Sequence, residues 1–516
     1  MLKKPSEIAE ILKARMANFD GDASVQEIGR VISVGDGIAK VWGLSSVMMN
    51  EIVDFAGGTI GVVIDLDIDA VGVMLFGKGL DVSEGEIVTR GKRVMEVPVG
   101  PELLGRVVDG IGRPVDGKGP ISAKMQDAVE KEAPGIMARQ PICNPMETGL
   151  LVIDAMVPIG LGQRELIIGD RKTGKTSIAI NAIINQLTSN HDDRICVYVA
   201  IGKKNSSIAK LADFMKKRGV MDKVIIVAAT ASDSVASQLI APYTGCTMAE
   251  YFRDRGQHAI VVYDDLSQHA IAYRQVALLL RRPPGREAYP GDVFYLHARL
   301  LERAAKMSDE KGGGSLTALP IVETQEGDMS AYIPTNIISI TDGQIVMDTG
   351  LFYKGVRPAV YVEQSISRIG SSAQSPAMKK ASKSQKIEYA QYREMESFAR
   401  FATDLDPSTK KILDRGARVE AMLKQGQYDP QPLPAEVLAF LSESFGFLEQ
   451  CPVERVGEFL RDMTEFFKTN HKDIWDTIDT TGDFSADDEK KIKKIMGEAA
   501  PLIISGGNGV DKSTSQ

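Results

Sequence analysis

The sequence has few of the features that mark secreted, membrane-spanning or nucleic-acid-binding proteins. Its 516 residues carry a formal net charge of −8, which argues against nucleic acid as the main partner. No apolar run is long enough to span a bilayer, and the first residues lack a signal-peptide core. The four cysteines are scattered without metal-ligand spacing, which predicts free, mostly buried thiols in a reducing compartment. We therefore expect a protein of the cytosolic side that reaches a membrane only through partners.

One segment carries a phosphate-binding pattern. Gly169 to Thr176 reads Gly-Asp-Arg-Lys-Thr-Gly-Lys-Thr and fits G-x-x-x-x-G-K-[ST], between an apolar strand pattern and a helix pattern. Its glycines let backbone N–H groups close on phosphates, Lys175 would face the β- and γ-phosphates, and the Thr176 hydroxyl would hold Mg²⁺. The sequence thus predicts nucleotide binding by Gly169, Asp170, Arg171, Lys172, Thr173, Gly174, Lys175 and Thr176.

The N-terminal segments and the last residues of the chain have distinct patterns. Residues 25–95 hold short β-branched runs between Gly-rich turns, which predict a small β-barrel domain. Its carboxylates outnumber its bases and its aromatics are few, so nucleic-acid binding is disfavoured. Residues 1–24 contain a helix pattern that either packs on its own domain or docks a partner. Residues 505–516 are polar and are predicted to be a disordered tail.

The centre and the C-terminal part differ in their periodicity. Residues 96–374 alternate strand and helix patterns, which predicts an α/β P-loop domain with a mainly parallel sheet. Strands are predicted at 164–168, 195–201, 223–228 and 258–263. Residues 375–504 show helical periodicity alone and predict a helical domain. Its helices are predicted at 377–403, 407–425, 434–449 and 453–470.

Two of the predicted strands decide what the P-loop site can do. The strand at 258–263 leads into Asp264, which is the residue expected to hold the Mg²⁺ shell. Hydrolysis also needs a group that positions or deprotonates water, and in ring-forming ATPases this is often a Glu that leaves the strand after the P-loop helix. Here the strand at 195–201 leads into Lys203 and Lys204, which cannot accept a proton. These lysines either bind phosphate or are solvated.

Two later segments present arginines. Residues 281–287 read Arg-Arg-Pro-Pro-Gly-Arg-Glu, a basic loop stiffened by prolines that would line a subunit interface or contact a central partner. Arg368 follows an apolar strand pattern. A positioned arginine can stabilise transition-state charge in phosphoryl transfer, but most arginines form surface ion pairs. The residues alone leave both interpretations of Arg368 open.

Taken together, these residues closely resemble the α subunits of F-type ATP synthases. The resemblance covers nearly the whole chain, from the first helix to about residue 470. The resemblance rests on the P-loop and on the segments 162–171, 263–267, 279–297, 312–320 and 338–344. It implies the same three-part plan of barrel, P-loop domain and helical domain.

The resemblance also implies roles for particular residues. It implies a non-catalytic site for ATP or ADP with Mg²⁺, in which Lys203 stands where the β subunit has its catalytic glutamate and α usually has Gln. Arg368 would reach into a neighbouring β site, and Ser365 would be tied to activity. The residues expected around the adenine are Phe352, Arg357, Pro358, Gln425 and Gln427.

The implied setting is a rotary ATP synthase. In that complex α subunits alternate with catalytic β subunits around a γ shaft, δ of the stalk docks on the N-terminal helix, and the membrane sector is contacted indirectly. ATP synthesis would be driven by a proton or sodium gradient at the cytoplasmic side of a bacterial inner membrane. The activity class would be the H⁺-transporting two-sector ATPase.

Some positions depart from the family pattern. Lys172 replaces the usual Gln, Gln268 replaces a Lys, residues 361–364 lack a Gly-containing turn, and Ser371 and Ser372 replace glycines. Lys172 and Lys203 add positive charge near the phosphates. Two alternatives remain, a catalytic ring ATPase of β or secretion type and a translocase similar to the terminator Rho. The absence of an acid at position 203 counts against the catalytic ring ATPase. The acidic composition of the barrel counts against the translocase.

Overall fold

The computed structural model describes residues 27–77, 82–188, 193–399 and 406–505. The chain divides between Met95 and Glu96 into two compact units. The helix predicted within 1–24 and nearly all of the predicted tail lie outside the described residues. Ser505, where that tail was predicted to begin, is still helical.

The first unit is a closed barrel of six strands, in which neighbours run antiparallel in the order β1-β2-β5-β4-β3-β6. Closure leaves no sheet edge exposed. Its interior is filled by side chains such as Val41, Val53, Val73 and Leu75, none of which is exposed. The strands are β1 (Ile28–Gly35), β2 (Ile38–Trp42), β3 (Glu51–Phe55), β4 (Ile60–Leu66), β5 (Val71–Phe76) and β6 (Ile87–Val94).

The second unit is built on a mainly parallel sheet. It also contains a separate antiparallel pair, β7 (Glu96–Val99) with β9 (Met125–Ala128). The strands of the main sheet are β8 (Val107–Asp109), β10 (Glu165–Asp170), β11 (Arg194–Lys203), β12 (Val224–Thr230), β13 (His258–Asp264), β14 (Ala305–Lys306), β15 (Ser315–Thr324), β16 (Gly343–Met347) and β17 (Ile366–Ser367).

The strand order places the functional strand ends side by side. The order is β17-β16-β10-β15-β13-β11-β12-β8, with β14 beside β15, and only the pairs of β17 and β14 are antiparallel. One strand, β15, therefore separates the P-loop strand β10 from β13, which ends at Asp264. The carboxyl ends of parallel strands share one edge of the sheet, where α/β proteins bind ligands.

Helices cover the sheet and form the C-terminal part. Those of the α/β part are α1 (Leu151–Met156), α2 (Lys175–Thr188), α3 (Asn205–Lys217), α4 (Val235–Arg253), α5 (Leu266–Leu279), α6 (Val293–Leu301), α7 (Tyr332–Ile340) and α8 (Thr349–Tyr353). Those of the C-terminal part are α9 (Pro376–Ala381), α10 (Gln385–Ala399), α11 (Pro407–Met422), α12 (Leu433–Ser444), α13 (Val456–Asn470), α14 (Lys472–Thr481) and α15 (Ala486–Ser505). The predicted fold class is confirmed: a β-barrel, an α/β P-loop core and a helical C-terminal part.

Helix α12 lies at the centre of the C-terminal part. Nearly all of its residues are buried, and its hydrophobic side chains join the same core cluster as those of α1 and the sheet. A helix that is buried on all sides needs neighbours on all sides. Two carboxyl groups of this helix are buried. Glu443 pairs with Arg415 at 2.5 Å, whereas Glu436 lies near the buried Asp154 of α1.

Burial raises the pKa of Glu436 well above its usual value, and repulsion from Asp154 and Glu147 adds to the shift. A carboxyl group whose pKa is raised by folding contributes stability that is present at low pH and is lost as the pH rises through its folded pKa. We therefore expect Glu436→Gln to leave the free energy of unfolding unchanged near pH 4 and to raise it by about 1–3 kcal/mol at pH 8.

Urea unfolding of both proteins at the two pH values measures this difference. Glu443→Gln is the matched control on the same helix, and it should lower stability at pH 8 because it breaks the pair with Arg415. A Glu436→Gln protein that is less stable than the wild type at pH 8 would show that the Glu436 carboxylate is stabilised by its surroundings.

Candidate functional site

A cavity of about 810 Å³ opens at the carboxyl edge of the sheet. Its walls are the P-loop, the ends of β11, β13 and β15, the segment after β16, and the loop that precedes α12. The volume is within the usual range for small-ligand sites. It is therefore large enough for a nucleotide.

The P-loop connects β10 to α2 and forms one wall. A Cβ atom at Gly169 would lie 2.7 Å from the Cβ of Met347, and Gly174 has φ +103, so both positions require glycine. The Lys175 ammonium donates to the carbonyl oxygens of Gly169 at 2.7 Å and Asp170 at 2.5 Å. Burial lowers its pKa, although Glu323 opposes the shift. The loop thus holds a buried cation where phosphates would bind.

The structure separates two predicted P-loop residues from the others. The predicted residues Arg171 to Thr176 line the cavity, whereas Gly169 and Asp170 do not. The Asp170 carboxylate accepts hydrogen bonds from the hydroxyls of Thr324 at 2.7 Å and Thr349 at 3.1 Å. Asp170 therefore fixes the end of β10 against its neighbouring segments.

Asp264 is the centre of a polar cluster on the cavity wall and is 1% exposed. Its Oδ2 accepts hydrogen bonds from the hydroxyls of Thr176 at 2.8 Å and Tyr198 at 2.6 Å. The Lys203 ammonium lies 2.6 Å from its Oδ1 and 3.4 Å from Oδ2 of Asp265. Burial alone would lower the pKa of Lys203, but Asp264 and Asp265 reverse the direction and raise it, so the ammonium is charged at neutral pH.

The oxygens of Thr176 and Asp264 suit Mg²⁺, which prefers hard oxygen ligands. Within the described residues no group of three or more His, Cys, Asp or Glu side chains surrounds a metal position. Mg²⁺ at nucleotide sites typically uses one or two protein oxygens together with phosphates and water. The residues present therefore fit a nucleotide-bound Mg²⁺ held by Thr176 and Asp264, with Lys203 as a competing cation.

The five residues expected around an adenine all line the same cavity. The Arg357 guanidinium lies 4.4 Å from the ring centroid of Phe352. The Gln425 amide donates to the carbonyl oxygen of Gly149 and accepts from the N–H of Leu151, both at 2.8 Å. The other two lining residues of this group are Pro358 and Gln427. The loop before α12 thus completes the cavity that the P-loop begins.

The cavity also contains polar residues that the sequence patterns did not place in the site. Glu323, at the end of β15, lines it together with Asp265 and Gln268. Burial raises the pKa of Asp265 to about 6 although Lys203 opposes the shift. The signal for Glu323 was its position at the end of a parallel strand, because such ends converge on one edge. Glu323 therefore brings a further carboxylate to the cavity, although no carboxylate follows β11.

Arg368 and Ser365 do not line this cavity. Arg368 is exposed and borders a second pocket of about 420 Å³, which is also lined by Arg139, Arg164 and Lys306. Within the part of the chain that the structure describes, no hydrogen bond or ion pair holds its guanidinium. The Ser365 hydroxyl is buried, donates to the carbonyl oxygen of Tyr361 at 2.7 Å and accepts from the N–H of Val346 at 2.9 Å.

Comparison with known families supplies the context for this geometry. Sequence models of the ATP synthase alpha/beta family match three consecutive parts of the chain: the beta-barrel domain at residues 24–91, the nucleotide-binding domain at 149–367 and the C-terminal domain at 374–499. The chain belongs to the ATP synthase alpha/beta family. Each model describes alpha and beta chains together.

Membership in the ATP synthase alpha/beta family agrees with the observed architecture. The matched ranges follow the order of barrel, sheet and helical part along the chain. The family identifies the chain as a nucleotide-binding subunit of a rotary ATPase complex. None of the described helices combines the length and the apolar character that a membrane crossing requires.

Proposed function

We propose that the chain is the non-catalytic, α-type subunit of a rotary ATP synthase, which holds ATP or ADP with Mg²⁺ without hydrolysing it. The observation that carries the proposal is Lys203. It occupies the end of β11, where a catalytic relative would place a water-activating glutamate, and its ammonium lies 2.6 Å from Asp264. A lysine held charged by two carboxylates cannot take a proton from water.

Arg368 is proposed to act outside the chain's own site. It is exposed, lacks a hydrogen-bonding partner within the described ranges and lies away from the walls of the nucleotide cavity. These properties suit an arginine that enters the catalytic site of a neighbouring β-type subunit and stabilises transition-state charge there. Ser365, buried three residues earlier, would position the segment that carries Arg368.

The proposal includes an assembly. Alternating α- and β-type subunits would surround a γ shaft, with δ of the stalk on the N-terminal helix and the membrane sector reached through these partners. The exposed Arg281 of the basic loop is available for a contact in that assembly. The complex would make ATP from ADP and phosphate, driven by a proton or sodium gradient, at the cytoplasmic face of a bacterial inner membrane.

A catalytic ring ATPase is the second candidate, because Glu323 brings a carboxylate to the cavity wall. In that case Glu323 would position or deprotonate the attacking water. The two functions differ in whether the chain turns over ATP without a β-type partner.

We expect the purified chain alone to release no phosphate from ATP beyond the rate of its Lys175→Ala variant. The physical reason is that no proton acceptor stands at the end of β11. Steady-state phosphate release by the wild type, Lys175→Ala and Glu323→Gln measures this. Multiple turnovers by the wild-type chain that disappear in Glu323→Gln would overturn the proposal in favour of the catalytic candidate.

A further inference from the structure

We propose that Lys203 is a built-in cation at this site, so that the chain binds ATP with little dependence on Mg²⁺. The inference rests on the proposed nucleotide binding and goes beyond it by assigning the metal dependence of that binding to one side chain. It is derived from the arrangement of charges around Asp264.

The Asp264 carboxylate already contacts three side chains of the protein itself. Two hydroxyls, from Thr176 and Tyr198, donate to Oδ2, and the Lys203 ammonium lies 2.6 Å from Oδ1. The Thr176 hydroxyl donates one of these bonds and keeps its lone pairs for a metal ion. A metal ion that binds Oδ1 of Asp264 must instead displace the Lys203 ammonium, which already lies there. Mg²⁺ also gives up its own water ligands reluctantly.

The charges lining the cavity show why a cation is needed at this point. Three carboxyl groups, those of Asp264, Asp265 and Glu323, line the wall that would receive the phosphates. In P-loop sites Mg²⁺ commonly offsets the repulsion between such carboxylates and the phosphates. Lys203 supplies a positive charge next to two of them, at 2.6 Å and 3.4 Å. Repulsion of the nucleotide is thereby reduced before any metal binds.

Lys203 also has the capacity to bind the nucleotide directly. An ammonium has three N–H donors, and that of Lys203 donates to Oδ2 of Asp265 and forms an ion pair with Oδ1 of Asp264. The side chain is 30% exposed and lines the cavity, so a remaining donor can reach a phosphate oxygen. A lysine that served only to fix the turn after β13 would leave the metal dependence of binding unchanged. That difference separates the two roles.

The test is the dissociation constant for ATP, measured by calorimetry on the purified chain in excess Mg²⁺ and in excess EDTA. For the wild type we expect the two constants to agree within roughly fivefold. For Lys203→Gln we expect binding in EDTA to be weaker than in Mg²⁺ by roughly tenfold or more, because a charge-assisted contact is lost. Thermal unfolding of each variant checks that it is folded.

Lys210→Gln is the matched control. It removes the same charge from an exposed position of α3 that does not line the cavity. It should keep the small ratio between the dissociation constants in EDTA and in Mg²⁺ that the wild type shows, since Lys210 lies outside the nucleotide site. The inference alone would be overturned if the wild type lost ATP binding in EDTA. It would also be overturned if the ratio of the dissociation constants in EDTA and in Mg²⁺ were the same for the wild type and Lys203→Gln. Absence of ATP binding in Mg²⁺ as well would overturn the proposed function with it.

Discussion

Arg368→Ala is expected to lower ATP hydrolysis by the complex reconstituted with β- and γ-type partners by roughly 10³–10⁵-fold. The affinity of the chain's own site for ATP should stay unchanged, because Arg368 does not line that cavity. An arginine that contacts only the transition state of a neighbouring site changes the rate and leaves the binding of the ground state intact. Steady-state hydrolysis and ATP binding by the isolated chain give the two readouts.

Two further variants show whether the effect is specific. Arg368→Lys keeps the charge but loses the planar fork, so it should recover only part of the rate. Arg461→Ala removes an exposed arginine from α13 and should leave the rate unchanged. Loss of ATP binding by the Arg368→Ala chain itself would mean that Arg368 belongs to its own nucleotide site.

The second large effect concerns stability. Arg303 is 1% exposed and its guanidinium donates to both carboxylate oxygens of Glu250, at 2.6 Å and 3.0 Å, and to the Thr247 hydroxyl at 2.8 Å. Arg303→Ala would leave Glu250 as a buried charge without this partner. We expect the free energy of unfolding to fall by about 3–5 kcal/mol. Urea unfolding measures it.

The pH dependence of this pair has the opposite sign to that of Glu436. Burial alone would raise the pKa of Glu250, but Arg303 and Arg253 hold it at about 2. A carboxyl group whose pKa is lowered by folding contributes stability above its unfolded value, and this is lost as the pH falls toward the folded value. The difference between wild type and Arg303→Ala should therefore shrink below about pH 4.

The combined variant Arg303→Met with Glu250→Leu separates the loss of packing from the unpaired charge. Replacing both charges by apolar side chains should recover most of the stability. Lys217→Ala, which breaks the exposed pair with Asp213, should cost less than about 1 kcal/mol. A similarly small cost for Arg303→Ala would contradict the role assigned to the buried pair.

Much of the fold was predictable because local patterns determine it. The strands at 195–201 and 258–263 are confirmed within three residues, since buried β-branched runs between turn signals have few other structures available. The helix predicted at 377–403 is instead two helices, with a break after Ala381 where the Ser382 hydroxyl donates to the carbonyl oxygen of Met378 at 2.8 Å. Such side-chain bonds compete with helix continuation and are hard to predict from periodicity.

The composition of the candidate site was only partly predictable. The P-loop is a local motif, and the residues that resemble an adenine pocket do line the cavity. The contact between Lys203 and Asp264 joins residues that are 61 positions apart, and it exists because β11 pairs with β13 in the sheet. Strand order is a tertiary property, so the sequence could suggest a lysine near phosphate but not its carboxylate partners. The place of Glu323 depends in the same way on β15 lying between β10 and β13.

The central claim is that this site holds nucleotide without consuming it. The most direct measurement is the chemical state of the bound nucleotide after the purified chain has been incubated with Mg²⁺ and ATP labelled at the γ-phosphate. The protein–nucleotide complex is isolated by gel filtration and its nucleotide is separated. We predict bound ATP that retains its label. Bound ADP with labelled phosphate free in solution would contradict the account.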